Sequence, residues 1–367
     1  MKILQIIYES LGSPFGFGGA GIRAYEIYKR LRERHEITLL CMKYPGARDG
    51  EIEGLKHIFA GVESKSLVRS VLSFTIKAAG FVRRHGKDFD VIVENFLPAT
   101  PFFAKYLTST PVILQIQDFW GKHTFGRYPF RVALPMFLVE KSYPRLYKQH
   151  LFVSPVTREK YNLRGDAVII PNGIDGALLQ FHEKADKENK SILFLSSIDF
   201  YKKGLDLLLD AFLQLSPRYD DLDLLIAGIG RDYDAVKHKV NDLPVTVRRH
   251  IKLLGWISGT DKTKVLSSSL FVVLPSRHES QPISVLEAAA CGTPVIVSDI
   301  DELKFVEENK FGISFPSGSV KALRDAIELL IENHEMRHGM GKSGRTYAEG
   351  FLWDTVALEF EKRLRVS

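Results

Sequence analysis

Two kinds of apolar pattern alternate along the chain. Short runs that are apolar at nearly every position are followed by longer stretches in which apolar residues recur every three or four positions. The first kind marks strands buried on both faces, and the second marks helices with one buried side. The run KILQIIYE at 2–9 predicts a strand, and Ala20, Ala24, Ile27, Tyr28 and Leu31 predict the helix after it. EITLLCM, DVIVENF and PVILQIQD continue the series. A polar, lysine-rich stretch at 182–190 reads as a loop or linker. A second series then begins, with strands predicted at SILFLSS, LDLLIAG, HIKLLGWI, LFVVLPS, PVIVSD and GISFP. In the helix after Lys203, Leu205, Leu208, Leu209, Phe212 and Leu215 share a side. Val356, Phe360 and Leu364 do the same in the last helix. The pattern predicts an α/β protein with two parallel-sheet domains.

Composition narrows the class. The 367 residues suffice for two cores. Cys41 and Cys291 are far apart and build neither a disulfide framework nor a metal motif, which predicts a reducing compartment and no metal. The first apolar run is too short for the core of a signal peptide, and the chain is expected to be cytoplasmic. The formal charge of +6 is a modest excess, and without a supporting motif nucleic acid is not expected as a partner. Arg127, Arg131, Lys141, Arg145 and Lys148 are interleaved with FRVALPMFLVEKSYPRLY. Such a stretch either packs one side on its own domain or lies against anionic lipid at the inner face of a membrane.

Ligands of open α/β sheets bind beyond the carboxyl ends of the strands, and three loops there carry candidate chemistry. GSPFGFGGAG at 12–21 favours a phosphate-binding turn before a helix, although its spacing is not G-x-G-x-x-G. Lys202 and Lys203 precede Gly204 at a helix start, where two cations oppose the helix dipole unless an anion joins them; otherwise both point into water. In SRHESQPISVLEAAACG, Ser280 or Gln281 is the expected N-cap and Pro282 the first helical residue. Glu279 stands at the mouth of this helix and Glu287 inside it. As pure acceptors, the two carboxylates suit the hydroxyls of a ribose or hexose. In the other reading Glu287 pairs with a buried cation and Glu279 is solvated.

Together these stretches resemble glycosyltransferase family 4, the retaining nucleotide-sugar transferases of the GT-B fold. SRHESQPISVLEAAACGTPVIVSD is similar to the family's E-x7-E signature, and KKGLDLLLDAF to its diphosphate-binding lysine–glycine segment. GGAGIRAYEIYKRLRERHEITLL, IIPNGID, IAGIGRD and FLWDTVALEFEKRL match further landmarks. The resemblance implies two Rossmann-like domains facing each other across a cleft. Residues 1–178 would form the acceptor side, joined by a closing helix at 352–367, and residues 179–351 would bind the donor. By position, Lys203 would bind the diphosphate, Glu279 the transferred sugar and Glu287 the ribose. Backbone amides of Ile283 and Ser284 would meet phosphates, as would the turn at Gly18 and Gly19 when the cleft closes. Ser197, Gly228 and Trp256 would complete the donor site, with Arg23, Asp118 and His123 on the acceptor side. Lys203 and Glu279 would carry catalysis.

Two positions depart from the family. Ser197 stands where an arginine is usual, with Lys202, Arg23 and Arg277 as candidate substitutes, and Gln117 stands where a histidine is common. The implied reaction moves a sugar from a nucleoside-diphosphate sugar to an acceptor hydroxyl on a saccharide or lipid-linked glycan. Retention, with no metal or other cofactor, is expected. A GT-B-type epimerase and a non-catalytic sugar-nucleotide or glycan-binding subunit are the alternatives.

Overall fold

The computed structural model describes residues 1–163, 165–180 and 190–365. The polar stretch at 182–189 therefore lies outside the described residues. The chain divides into two units, Met1–Asn172 with Trp353–Ser367, and Gly173–Leu352. The division falls ahead of residue 178 because Ile174 bridges to Leu352 and donates its N–H to Phe351 O at 2.7 Å. Arg345 also donates to Leu179 O at 3.3 Å, tying this segment to the second unit.

The first unit holds β1 (Lys2–Ile7), β2 (Glu36–Met42), β3 (Gly50–Ile52), β4 (Leu55–Ala60), β5 (Val91–Asn95), β6 (Val112–Ile116), β7 (Gln149–Phe152) and β8 (Asp166–Ile169). They form one sheet in the order β3-β4-β2-β1-β5-β6-β7-β8, parallel apart from the β3–β4 edge hairpin. In the central β1, Ile3 sits between Ile37 and Val91, and every residue after Lys2 is buried. Helix α1 (Gly19–Leu31) buries Ala24, Ile27, Tyr28 and Leu31. Helix α2 (Leu67–His85) buries Ser70, Phe74, Ala78 and Val82, one residue in four. Helix α3 (Phe130–Ser142) contains Pro135 and buries only Ala133 and Glu140.

The second unit is a parallel sheet ordered β11-β10-β9-β12-β13-β14. Its strands are β9 (Ser191–Leu195), β10 (Asp223–Ala227), β11 (Ile251–Gly255), β12 (Val272–Leu274), β13 (Val295–Ser298) and β14 (Gly312–Phe315). Each coincides with an apolar run of the second series. Helix α4 (Leu205–Leu215) buries Leu205, Leu208, Leu209, Phe212 and Leu215, worth roughly 1.5–3 kcal/mol each. Helices α5 (Gly259–Ser268) and α6 (Ile283–Ala290) follow β11 and β12. The closing helix α7 (Trp353–Arg365) belongs to the first unit, where Phe360 meets Tyr28 edge-on at 5.7 Å. Each unit is a Rossmann-like layer of parallel strands, the architecture of the GT-B fold class.

Candidate functional site

The richest constellation lies beyond the carboxyl ends of β9 and β12. After β9 comes Ser197, which is exposed, and then Asp199, whose carboxylate accepts from Lys202 N–H at 3.0 Å and starts a helical turn, Phe200–Lys203. Gly204 ends the turn at φ +63°, where a Cβ would lie 1.9 Å from Pro275 O. Only glycine allows this approach, and it carries Lys203 to the exit of β12. There the ammonium donates to Glu279 Oε1 at 2.5 Å, and Ser276 Oγ donates to the same oxygen at 2.7 Å. Neither reading that left these side chains in water holds: Lys203 is 8% exposed and Glu279 4%. Burial of each charge is compensated by the other.

Helix α6 begins one residue later than expected. Pro282, with ψ 120°, occupies the cap position, and no side chain caps the first turn. An extended proline ring offers no acceptor, so the amides of Ile283 and Ser284 sit at an amino end without a side-chain acceptor. Further along, Glu287 is 8% exposed and accepts from Lys262 Nζ of α5 at 2.5 Å. This is the paired-cation reading, with a partner that periodicity did not single out. Gly228, at φ +137°, joins the strand ends: its N–H donates to Gly255 O at 2.7 Å, and a Cβ would lie 1.8 Å from Ser196 O. Trp256, 46% exposed, follows Gly255 at φ +65°. The structure thus gathers Ser197, Lys203, Gly228, Glu279, Ile283, Ser284 and Glu287 on loops and helix starts at one end of this sheet, with Trp256 following β11.

The proposed stand-ins for an arginine at position 197 fare differently. Arg277 is committed to Asp206 through two bonds of 2.9 and 2.7 Å, which hold its pKa above the ordinary value. Lys202 is half-buried beside the Asp199 cap. Arg231, not singled out from sequence, lies 3.8 Å from Asp199 and is a cation at the same loop.

Gly18 N–H donates to Glu9 Oε2 at 2.9 Å and Gly21 N–H to the same oxygen at 2.6 Å, so in this structure the chain's own carboxylate takes up two amides at the start of α1. Gly19 opens that helix. Arg23 is not on the acceptor surface and cannot stand in for a donor-site arginine. It is fully buried, donates to Pro171 O at 2.6 Å and Asn172 Oδ1 at 3.2 Å, and burial lowers its pKa to about 9. The Arg127 guanidinium lies over the Trp120 ring at 4.7 Å and the Tyr128 ring at 5.5 Å. Asp118 Oδ1 accepts from Phe119 N–H at 2.9 Å, while His123 is exposed on the turn His123–Arg127. Gln117 donates to Asn95 Oδ1 at 2.8 Å. The loop between them is held by buried Glu140, which accepts from Trp120 and Gly121 N–H at 2.7 Å each.

Two family models together cover most of the sequence. Residues 17–177 match the model of Glycosyltransferase Family 4, and residues 178–347 match that of Glycosyl transferases group 1. A phosphatidyl-myo-inositol mannosyltransferase of Mycobacterium leprae is 32% identical over 200 residues, covering 53% of this chain and 52% of its own. Its counterpart from Mycobacterium tuberculosis strain H37Rv is 30% identical, covering 53% of each. The chain thus spans about half the length of the curated relatives it matches. Among solved structures, sucrose-phosphate synthase from Thermosynechococcus elongatus superposes with a TM-score of 0.82 at 19% identity, covering 99% of this chain and 98% of that one. Anabaena HepE, solved with UDP-glucose, gives 0.77 at 19% identity over the whole of both chains. With one family model on each half of the sequence and two Rossmann-like units beneath them, the chain is a glycosyltransferase built from a Glycosyltransferase Family 4 region followed by a Glycosyl transferases group 1 region.

Proposed function

We propose that the chain transfers a sugar from a nucleoside diphosphate to an acceptor hydroxyl with retention at the anomeric carbon. One observation carries this reading: Lys203, Glu279 and the uncapped start of α6 converge beyond β9 and β12. As the bond from the anomeric carbon to the diphosphate breaks, its electron pair passes to the leaving phosphate oxygen. Lys203 and the amides of Ile283 and Ser284 stabilise that charge, so electrostatic preorganisation is the main term and no metal is needed. The acceptor oxygen bonds to the anomeric carbon from the face the diphosphate leaves, and its proton passes to the departing phosphate. Glu279 orients the transferred sugar, Glu287 accepts from the ribose hydroxyls, and Trp256 lies toward the base.

UDP-glucose, the ligand of the HepE structure, is the first donor to test. The Mycobacterium names direct the acceptor search toward lipid-linked polyols, with saccharides beside them. The surface of the first unit supports a lipid-borne acceptor at the inner face of the membrane. On α2, Val68, Leu72 and Ile76 are 68, 59 and 71% exposed, and the helix carries Arg69, Lys77, Arg83 and Arg84 without one acid. Phe130, Val132 and Leu138 of α3 are also exposed, beside Arg131 and Lys141. Among the described residues no helix is long and apolar enough to cross a membrane.

Lys203→Ala and Glu287→Ala should each lower sugar transfer by at least a hundredfold, in EDTA as in its absence. Wild-type rates in either variant would refute the assignment. Donor hydrolysis by the purified chain separates an enzyme from a binding subunit, which would release no nucleotide.

A further inference from the structure

We propose that Lys262 is a specificity-determining residue that contacts the nucleotide's ribose together with Glu287; this rests on the nucleotide-sugar reading above. Lys262 lies four residues before Leu266, so the two share a side of α5, and Leu266 on that side is fully buried. A lysine at an inward position needs a reason. Its ammonium reaches across to α6 and donates to Glu287 Oε1 at 2.5 Å. The side chains of Lys262 and Glu287 are 23% and 11% exposed, low enough to be largely dry and open enough to be reached.

As a purely structural device the pair is incomplete. A mostly buried ion pair repays its desolvation only when its remaining protons and lone pairs are also satisfied. Among the described residues, Lys262 is the hydrogen-bond donor to Glu287, and it uses one oxygen. That bond takes up one of the carboxylate's two oxygens and one of the ammonium's three N–H groups. An acceptor next to a donor is the complement of a vicinal diol, in which one hydroxyl donates and its neighbour accepts. A ribose 2′,3′-diol has this form. Glu287 would take the proton of one hydroxyl at Oε2, and Lys262 would donate to the oxygen of the other. The ion pair then stays intact while the ligand completes it.

The test uses the whole chain and isothermal titration with UDP, 2′-deoxy-UDP and 3′-deoxy-UDP, repeated with the guanosine series. Wild-type protein should lose about tenfold or more in affinity for each missing hydroxyl. In Lys262→Leu one of the two penalties should shrink below twofold while the other persists. Lys262→Gln, which keeps a donor toward Glu287, should show an intermediate penalty, and it carries the test if thermal unfolding shows that the leucine variant does not fold. Two unchanged penalties overturn the assignment of Lys262. Two penalties that vanish together also overturn it, since Lys262 would then act only by holding Glu287. If wild-type protein binds neither nucleotide series, the donor reading itself falls and this inference with it.

Discussion

Glu94 is fully buried at the end of β5, its oxygens accepting from Tyr143 Oη at 2.5 Å and Tyr147 Oη at 2.6 Å. Burial raises its pKa from 4.5 to about 7, against the lowering effect of the two hydroxyls. A carboxyl with a raised native pKa binds a proton that the unfolded chain releases. Its contribution is therefore fully present below about pH 4.5 and lost as pH rises through about 7. Glu94→Gln has no proton to lose, so urea unfolding should show wild-type stability declining relative to this variant between pH 5 and 8, by a few kcal/mol. A constant difference across that range would refute the account. DVIVENF reads from sequence as an ordinary strand because the tyrosines that hold Glu94 lie some fifty residues on. Glu9 and Glu140 were silent for another reason: the bonds by which they hold their loops come from backbone amides, which no side-chain pattern displays. Glu287 stood out because its immediate neighbours are apolar, and Lys262 did not because the pairing spans 25 residues.

Helices show the same division between what is local and what is distant. The spacing of Val356, Phe360 and Leu364 marks one side of α7 as buried, while its cover, Tyr28 among others, comes from the other end of the chain. The polar margin of this contact is charged. Glu361 accepts from Arg365 at 2.8 Å, His35 Nε2 at 2.9 Å and Arg34 at 2.9 Å, while Arg363 meets Asp166 at 2.6 Å. Arg365 foremost, with His35 and Arg34, holds the Glu361 carboxyl below its ordinary range. A depressed carboxyl contributes stability that is present above its unfolded value and lost as pH falls through the native one. Glu361→Gln should therefore flatten the acid limb of the stability profile and leave neutral-pH activity in place. An unaltered acid limb in circular-dichroism melts would show that this cluster does not hold α7.

At the level of the whole molecule, charge and apolar exposure are unevenly spread. The excess of +6 is small, yet α2 has basic residues only, along with a line of exposed aliphatics. Each Lys or Arg near an anionic surface is worth about 1 kcal/mol, with the apolar side chains adding to it. Val68, Leu72 and Ile76 changed together to Ser should reduce co-sedimentation with phosphatidylglycerol vesicles more than fivefold. Arg69, Lys77, Arg83 and Arg84 changed to Glu should do the same. Binding unchanged in both would remove the membrane face. Arg127→Glu would instead disturb the stack on Trp120. The second sheet was legible as a series of apolar runs, and so were β1, β2, β5 and β6 of the first; β3, β4, β7 and β8 were not, because β3 is short and exposed, Lys56 and His57 interrupt β4, and β7 and β8 are only four residues each.

The glycine-rich start of α1 has a consequence for inheritance. A Cβ at Gly21 would lie 2.4 Å from the Phe17 ring and 2.8 Å from Glu9 Oε2, and one at Gly18 would lie 3.2 Å from Glu9 Oε1. Positions 9, 17, 18 and 21 thus form a unit in which a larger residue at one site is tolerated only after a smaller or uncharged one appears at another. Among descendants of this sequence, loss of the carboxylate at position 9 should precede any side chain at position 21, and lineages that keep the one should keep the other bare.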